Sequence, residues 1–211
     1  YNPSTIQRGS LLTNDFTGDP LTPFEPALPL DSKEKIERVD PKNAQLHTIP
    51  VSPIGYGEAE KILSQMNGDP VPQSWQGGLP FTYRLQGGSS LTVRLKVDQK
   101  IGFVRATNVI GMFKGTDAPD EWIILGCHLD SWGFGATDPS SGTAMLLSLS
   151  QTLGKLKDEG YSPKRSILIG HWDAEEHGVI GSTEWVEQMR EELNAKGCLL
   201  YTSPSPRDAL E

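Results

Sequence analysis

The chain has little cysteine, an excess of acidic side chains and no long apolar run. Its 211 residues include only two cysteines, so no disulfide framework can be inferred. Asp and Glu outnumber Lys and Arg by 27 to 19, which argues against a nucleic-acid or anionic-membrane partner, because both need clustered basic residues. No run reaches the roughly 18 apolar residues of a membrane span. What remains is a globular chain, 36% apolar and 22% charged, that is long enough to bury a core.

Two common catalytic motifs are also missing. No glycine-rich phosphate loop is present, and no Gly-x-Ser-x-Gly elbow that would expose a nucleophilic serine. Internal repeats are absent as well. The strongest chemical signal lies instead in the acidic residues and the histidine that follow two short apolar runs.

These two runs, Trp122–Cys127 and Ser166–Trp172, have the pattern of buried strands in a parallel sheet. Potential metal ligands follow each of them: His128, Asp130 and Asp138 after the first run, and Asp173, Glu175 and Glu176 after the second. In open α/β sheets, ligands bind beyond the carboxyl ends of the strands. The sequence therefore predicts a site at this edge of the sheet.

Helical periodicity predicts three helices. A short one covers Gly57–Met66, and a longer one covers Ser141–Asp158, with Gly160 as a left-handed cap. Ser182 is predicted to cap the third, which continues to about Ala195. The predicted buried stripes are Met145, Leu149, Leu153 and Leu156 on the second helix, and Trp185, Met189 and Leu193 on the third.

Two further strands are predicted, at Leu91–Val97, where apolar and polar residues alternate, and at Phe103–Phe113. They are expected to form an antiparallel hairpin or adjacent edge strands. Strands that alternate with helices indicate right-handed crossovers. The predicted fold class is α/β, with a mixed, largely parallel sheet flanked by helices.

The side chains at the predicted edge suit zinc, which binds histidine nitrogen and carboxylate oxygen. Two zinc ions can share a bridging carboxylate and act on both sides of a hydrolytic step. Of the adjacent Glu175 and Glu176, one can bind metal while the other acts as general base. Asp130 is placed to accept the second imidazole N–H of His128. The competing interpretation is a structural histidine at a strand end, beside an acidic turn exposed to solvent.

Three segments carry a family resemblance: HLDSW at 128–132, GATDPSSG at 135–142 and WDAEEHGVIGSTEW at 172–185. Together with QRGSLL, GDPLTP and IPVSPIGYGEAEKIL nearer the start, they closely resemble the glutamate carboxypeptidase II-like branch of the M28 dinuclear zinc peptidases. The resemblance runs from about Ile6 to Lys196. It implies a zinc-exopeptidase fold, truncated here, and two zinc ions.

The resemblance also implies roles for single residues. His128 would bind one zinc ion, Asp138 would bridge both ions and Glu176 would bind the other. Glu175 would be the general base that activates the water between the ions, and Asp130 would orient His128.

A structural calcium ion is implied too. Its ligands would be main-chain oxygens of Thr22 and Glu25 and the side chains of Glu184 and Glu187, which share one helix face. The alternative is an exposed acidic face without a cation. Ser10 stands where the family enzyme has an asparagine that contacts substrate carboxylates, so glutamate-directed specificity is in doubt.

The activity implied by the resemblance is that of a zinc-dependent metallo-exopeptidase of carboxypeptidase or dipeptidase type, which cleaves short peptides. The parent protein is expected to be a homodimer and to work outside the cytosol, either membrane-anchored or secreted. Carboxypeptidase and aminopeptidase action both stay open. A non-catalytic, receptor-like or scaffold member of the same fold is the alternative.

The resemblance divides the chain into three parts. Residues 1–55 would be the end of a protease-associated domain and its connection, residues 56–197 the N-terminal part of the peptidase domain, and residues 198–211 a non-native read-through tail. The family's further zinc ligands, another Asp and a distant His, find no counterpart: Asp208 lies in a Pro-Ser-rich stretch with no clear strand before it. The chain is therefore expected to be a fragment that is inactive alone and binds zinc weakly at best. A genuine short homologue is the alternative.

Overall fold

The computed structural model describes residues 2–9, 11 and 13–202, with side chains as far as residue 200. The described residues form two compact units: residues 2–9 with 47–102, and residues 11–46 with 103–202. The described residues between 11 and 46, which are predicted to belong to a protease-associated domain and its connection, thus lie in the same unit as the predicted site. The identity of that domain stays a prediction, as does the read-through origin of the tail.

The first unit contains one helix and a small sheet. Helix α1 covers Tyr56–Leu63, which confirms the predicted helix with shifted ends. In its first turn, the N–H of Gly57 donates a hydrogen bond to the Pro3 carbonyl at 2.8 Å. This bond gives a partner to one of the N–H groups that have none within the helix. Strand β1, Asn67–Pro70, pairs antiparallel with β2, Arg84–Gln86.

The prediction of a strand at Leu91–Val97 is wrong, and so is the prediction that it pairs with Phe103–Phe113. Described residues 91–107 form no strand, and Val93 and Leu95 are exposed. Alternation supplies an apolar face, but a strand also needs a neighbour to pair its backbone groups. Of the predicted strand Phe103–Phe113, only Val109–Phe113 forms one.

The second unit is built on a four-stranded sheet. Its strands are β3, Val109–Phe113; β4, Ala118–His128; β5, Arg165–Trp172; and β6, Gly197–Thr202. They lie in the order β3-β5-β4-β6, with β4 parallel to both β5 and β6 and β3 antiparallel to β5. The predicted mixed, largely parallel sheet is confirmed, and the two apolar runs form its central strands.

Strand β6 corrects one expectation. No clear strand was expected ahead of Asp208, but Gly197–Thr202 pair with β4. The first residues of the predicted tail, Cys198–Thr202, are thus part of the sheet. Asp208 and the remainder of the tail lie outside the described residues.

Three helices flank this sheet: α2 at Ser140–Asp158, α3 at Ile180–Gln188 and α4 at Arg190–Lys196. The predicted cap at Ser182 is wrong, because α3 begins two residues earlier, after Val179 in the left-handed region. Gly160 does adopt the predicted left-handed conformation. Among the described helices, none combines the length and the apolar composition that a membrane span requires.

Apolar side chains pack on both faces of the sheet. One cluster joins the strands to α3 and α4 and consists of Trp122, Ile124, Leu168, Trp172 and Trp185, with Met189 and Leu193 against it. The other joins them to α2 and consists of Cys127, Leu146 and Ile169, with Leu149 and Leu153 against it. The predicted stripe on α2 is wrong at Met145, which is 54% exposed, and at Leu156, which is 39% exposed, and Leu146 is the buried residue of this helix.

Candidate metal centre

The predicted site lies where β4 and β5 end side by side. His128, the last residue of β4, is in register with Trp172, the last of β5. The N–H of Leu129 continues this pairing by donating to the Trp172 carbonyl at 2.8 Å. The loops that follow the two strands therefore leave the sheet together. This brings residues 128–138 next to the acidic pair.

His128 presents its imidazole to two different partners. Its side chain is buried, with Nε2 2.8 Å from Oδ1 of Asp138 and Nδ1 3.0 Å from the backbone carbonyl of Asp130. A proton on Nδ1, donated to that carbonyl, leaves the Nε2 lone pair for a cation. Asp130, the partner predicted for this N–H, thus faces Nδ1 with its backbone carbonyl, whereas its carboxylate Oδ1 lies farther away, at 3.6 Å.

The Asp130 carboxylate instead holds the acidic pair. Its two oxygens accept the backbone N–H groups of Glu175 at 2.9 Å and Glu176 at 3.1 Å. Glu175–His177 form a single 3-10 turn, which we call the acid turn, between Ala174 and Gly178 in the left-handed region. An alanine in the left-handed region raises the free energy of the folded state, so hydrogen bonds such as those from Asp130 are needed to hold the turn in place.

Three of the predicted ligands converge. His128, Asp138 and Glu176 each offer a ligand atom, and these atoms lie within 4.8 Å of one another. No other group of His, Cys, Asp or Glu in the described chain meets this criterion. One imidazole nitrogen with carboxylate oxygens is a donor set that zinc accepts, so the residues present fit this ion. Glu175 stands beside the group, with Oε2 3.8 Å from Nδ1 of His128.

The electrostatics of the cluster favour a cation. Burial raises the pKa of Glu175, and repulsion from Glu176 and Asp130 adds to the rise, against the opposing effect of His128. The pKa of Glu176 is raised by burial and by Asp138. Burial by itself would lower the pKa of His128, but Glu175 and the neighbouring aspartates raise it overall. Several carboxylates thus share one imidazole, and a bound divalent ion would relieve their repulsion.

The predicted calcium ligands also lie close together. Glu184, on α3, accepts backbone N–H groups from Asp19 at 2.6 Å and from Ala27 at 2.5 Å, so the loop 19–27 wraps around its carboxylate. Glu187 is one turn further along α3. Burial raises its pKa to about 7, and Glu184 and Glu25 add to the rise although Arg190 opposes it.

Two enclosed oxygens in this region have no hydrogen-bond partner among the described residues. They are Oε2 of Glu187 and Oγ1 of Thr22, the latter on a residue that is buried almost completely. The Thr22 carbonyl accepts the N–H of Glu25 at 3.1 Å. An enclosed carboxylate oxygen without a donor, beside two more acids, fits a hard cation such as Ca²⁺.

Sequence reasoning gave Trp132 no role, yet its ring lies on the acid turn. Trp132 meets the ring of His177 edge-on, with centroids 4.9 Å apart. Only its place in the HLDSW segment, four residues after His128, could have drawn attention to it. His171 is half-buried in β5 and burial lowers its pKa, which suits the predicted core position. Ser10 lies outside the described residues.

Comparison with known proteins places this site in a family. Residues 108–201, which include β3 to β5, β6 as far as Tyr201 and the metal centre from His128 to Glu176, match the model of peptidase family M28. Over these residues the chain is similar to peptidase family M28. The predicted resemblance is thereby confirmed.

Two relatives illustrate what the chain is similar to. It is 40% identical to "Aminopeptidase NAALADL1" of Rattus norvegicus over 204 residues, which are 92% of this chain and 26% of the relative. It is 38% identical to the "Glutamate carboxypeptidase 2 homolog" of Caenorhabditis briggsae over 198 residues, 90% of this chain and 25% of the relative. The chain thus spans about a quarter of the length of these relatives.

Proposed function

We propose that this chain supplies one part of the active site of a zinc-dependent exopeptidase that cleaves short peptides. The observation that carries the proposal is the convergence of His128, Asp138 and Glu176, with Glu175 beside them. The match of residues 108–201 to peptidase family M28 supports peptide hydrolysis, and both relatives carry exopeptidase names. One name is that of an aminopeptidase and the other that of a carboxypeptidase, so either end of the peptide is a candidate.

His128 would hold one zinc ion through Nε2, Asp138 would bridge two ions and Glu176 would hold the second. When bound, zinc supplies a Lewis acid that polarises a carbonyl and lowers the pKa of water. The Asp130 carbonyl keeps the Nδ1 proton of His128 in place. The Asp130 carboxylate keeps the acid turn in place.

Glu175 would be the general base. It takes the proton from the attacking water and passes it to the leaving amine. Burial keeps the pKa of Glu175 above its ordinary value and therefore closer to neutral pH. A group that first takes up a proton and then releases it works best when its pKa lies near the working pH. It does not belong to the group of three converging ligands, so its carboxylate is left for this role.

Further proposals rest on the family resemblance. A structural Ca²⁺ would be held by main-chain oxygens of Thr22 and Glu25 and by the carboxylates of Glu184 and Glu187. Residues 1–55 would contribute to a protease-associated domain. The whole protein would be a homodimer outside the cytosol.

A matched pair of variants tests the two adjacent glutamates. In the 211-residue chain we expect weak zinc binding that Glu176→Gln reduces further and Glu175→Gln leaves nearly unchanged, as measured by competition with a chelating dye. Equal losses in the two variants would contradict the division of roles.

Hydrolysis is tested with a panel of short peptides and the full-length parent protein. Glu175→Gln should lower kcat by about 10²- to 10⁴-fold, because it removes the general base, while zinc content stays the same. If activity survives this change, the proposed role of Glu175 as general base is wrong. A wild-type protein that holds zinc and cleaves none of the peptides would favour the receptor-like alternative.

A further inference from the structure

The segment 173–181 carries the acid turn from the end of β5 into the first turn of α3. One side chain, that of Asn108 directly before β3, binds both ends of this segment. Its Oδ1 accepts the N–H of Asp173 at 3.0 Å, and its Nδ2 donates to the Gly181 carbonyl at 2.7 Å. The two ends also bind each other, because the N–H of Gly181 donates to the Asp173 carbonyl at 2.9 Å. The acid turn therefore lies in a loop whose base is closed by three hydrogen bonds.

Asp173 adds two more hydrogen bonds to this base. Its carboxylate accepts the N–H of Thr107 at 2.8 Å and the N–H of Ala174 at 2.9 Å. Asp173 is one of the acids that follow β5, but it does not belong to the group of converging ligands. Its carboxylate oxygens instead bind the backbone, which ties the segment to the residues that lead into β3.

The base is closely packed. Gly181 is buried, and a Cβ at this position would overlap the Asp173 carbonyl oxygen and Oδ1 of Asn108. The hydrogen bonds of the base therefore require a glycine in the first turn of α3. An asparagine suits the other side of the base, because its amide offers an acceptor and a donor on one short side chain.

The segment between these ends holds three residues in the left-handed region. Ala174, Gly178 and Val179 have φ of 55°, 117° and 58°. Glycine adopts such angles readily, whereas in alanine and the β-branched valine they raise the free energy of the folded state. These conformations persist only where the surrounding contacts determine them. Asp130 binds the backbone in the middle of the segment, and Asn108 binds its two ends.

We propose that Asn108 is a positioning residue of the candidate metal centre, which closes the base of the segment 173–181 and so holds Glu175 and Glu176 in their places beside His128. It acts through the backbone that carries the two glutamates. The proposal rests on the metal site of the proposed function and adds a residue to it. In protein metal sites, hydrogen-bonding partners outside the ligand set commonly change metal affinity by about 10- to 100-fold.

The positioning is tested without metal, in the backbone ¹⁵N–¹H spectrum of the metal-free 211-residue protein. Asn108→Ala removes both side-chain bonds, so the signals of its direct partners Asp173 and Gly181 should shift. If Asn108 also positions the acid turn, the signals of Glu175 and Glu176 should shift as well, and by more than those of β5. If these two signals keep their positions, the proposal is wrong.

Two further variants sharpen this test. Asn108→Asp keeps an acceptor for the N–H of Asp173 and replaces only the donor, so it tests the same bond with a smaller change of shape. It should shift the two glutamate signals too. The matched control is Asn14→Ala, because Asn14 is also partly buried in the second unit and its Nδ2 donates to the Phe16 carbonyl at 2.7 Å. This control should leave the signals of the acid turn unchanged.

The consequence for metal binding is tested with Co²⁺, whose visible absorption reports on the ligand geometry. Asn108→Ala should bind Co²⁺ about tenfold more weakly and give an altered spectrum even at saturation. Asn14→Ala should match the wild type in both. A lower thermal midpoint in Asn108→Ala with wild-type affinity and spectrum would show a purely structural role and overturn the proposal.

The outcomes separate the two proposals. If the wild type binds no Co²⁺, the proposed metal site fails for this chain. The signals of Glu175 and Glu176 in Asn108→Ala then still decide whether Asn108 positions the acid turn.

Discussion

Asp130 connects the two loops that form the candidate metal centre. Its backbone carbonyl faces the imidazole of His128, and its carboxylate binds the backbone of the acid turn. One residue therefore sets the distance between the histidine ligand and the glutamates. The arrangement also explains how a turn bounded by the left-handed Ala174 can be held in a fixed place.

The sequence was sufficient to identify the residues of this site but not the atoms through which they interact. His128, Asp138 and Glu176 follow two adjacent parallel strands, and this topology alone brings them to one edge. Spacing placed Asp130 near His128 correctly. Whether a carbonyl or a carboxylate meets the ring depends on side-chain torsions that only the packed neighbours decide, and here the acid turn takes the carboxylate.

At the calcium candidate, the charge of Glu187 should make stability depend on pH. Because its pKa is raised to about 7, the native state keeps a proton that the unfolded state has already released. Stability should therefore fall as the pH rises from about 4.5 toward 7 and remain low above that. In EDTA, we expect a lower unfolding midpoint at pH 8 than at pH 6.

Glu187→Gln removes the titrating group without changing its shape, so it should reduce this difference. Added Ca²⁺ should raise the midpoint at pH 8 in the wild type and raise it less in the variant. Glu191→Gln, at an exposed position on α4, is the matched control and should behave as the wild type does. An unchanged pH profile in Glu187→Gln would show that Glu187 does not carry the effect.

At the scale of single elements, α2 gives a direct test of which residue faces the sheet. Leu146 is 3% exposed and packs with Cys127 and Ile169, whereas its neighbour Met145 is 54% exposed. Leu146→Ala should lower the free energy of unfolding by about 2–4 kcal/mol, because it removes buried methyl groups and leaves a cavity. Met145→Ala should change it by less than about 0.5 kcal/mol. Urea unfolding measures both, and a larger loss at Met145 would mean that the predicted stripe is right.

Strands were predictable where the hydrophobic pattern of the sequence agreed with the backbone pairing in the sheet. The runs at β4 and β5 are apolar on both faces and occupy the centre of the sheet, so burial and backbone pairing support each other. Leu91–Val97 has only the alternating pattern, and no described neighbour pairs with it. The helix after the acid turn starts at Ile180 and breaks at Met189. Its start follows the left-handed Val179, a feature that capping preferences do not reveal.

At the scale of the whole molecule, both edge strands of the sheet in the second unit lack an outer neighbour among the described strands. Among the described strands, β3 pairs only with β5, and β6 only with β4. Val109 and Met112 on β3, and Leu199 and Leu200 on β6, are each more than half exposed. Unpaired strand edges that carry apolar side chains are templates for pairing with another chain.

We therefore expect the 211-residue chain to self-associate as its concentration rises, which light scattering after gel filtration would detect. Met112→Lys places a charge on the β3 edge and should lower the associated fraction, because an edge lysine opposes strand pairing. Ile101→Lys adds the same charge at a residue that is 95% exposed and lies in no strand of the described structure, so it controls for net charge. A drop confined to Met112→Lys would assign the association to this edge. Equal drops in both variants would instead assign it to net charge, and the edge explanation would be wrong.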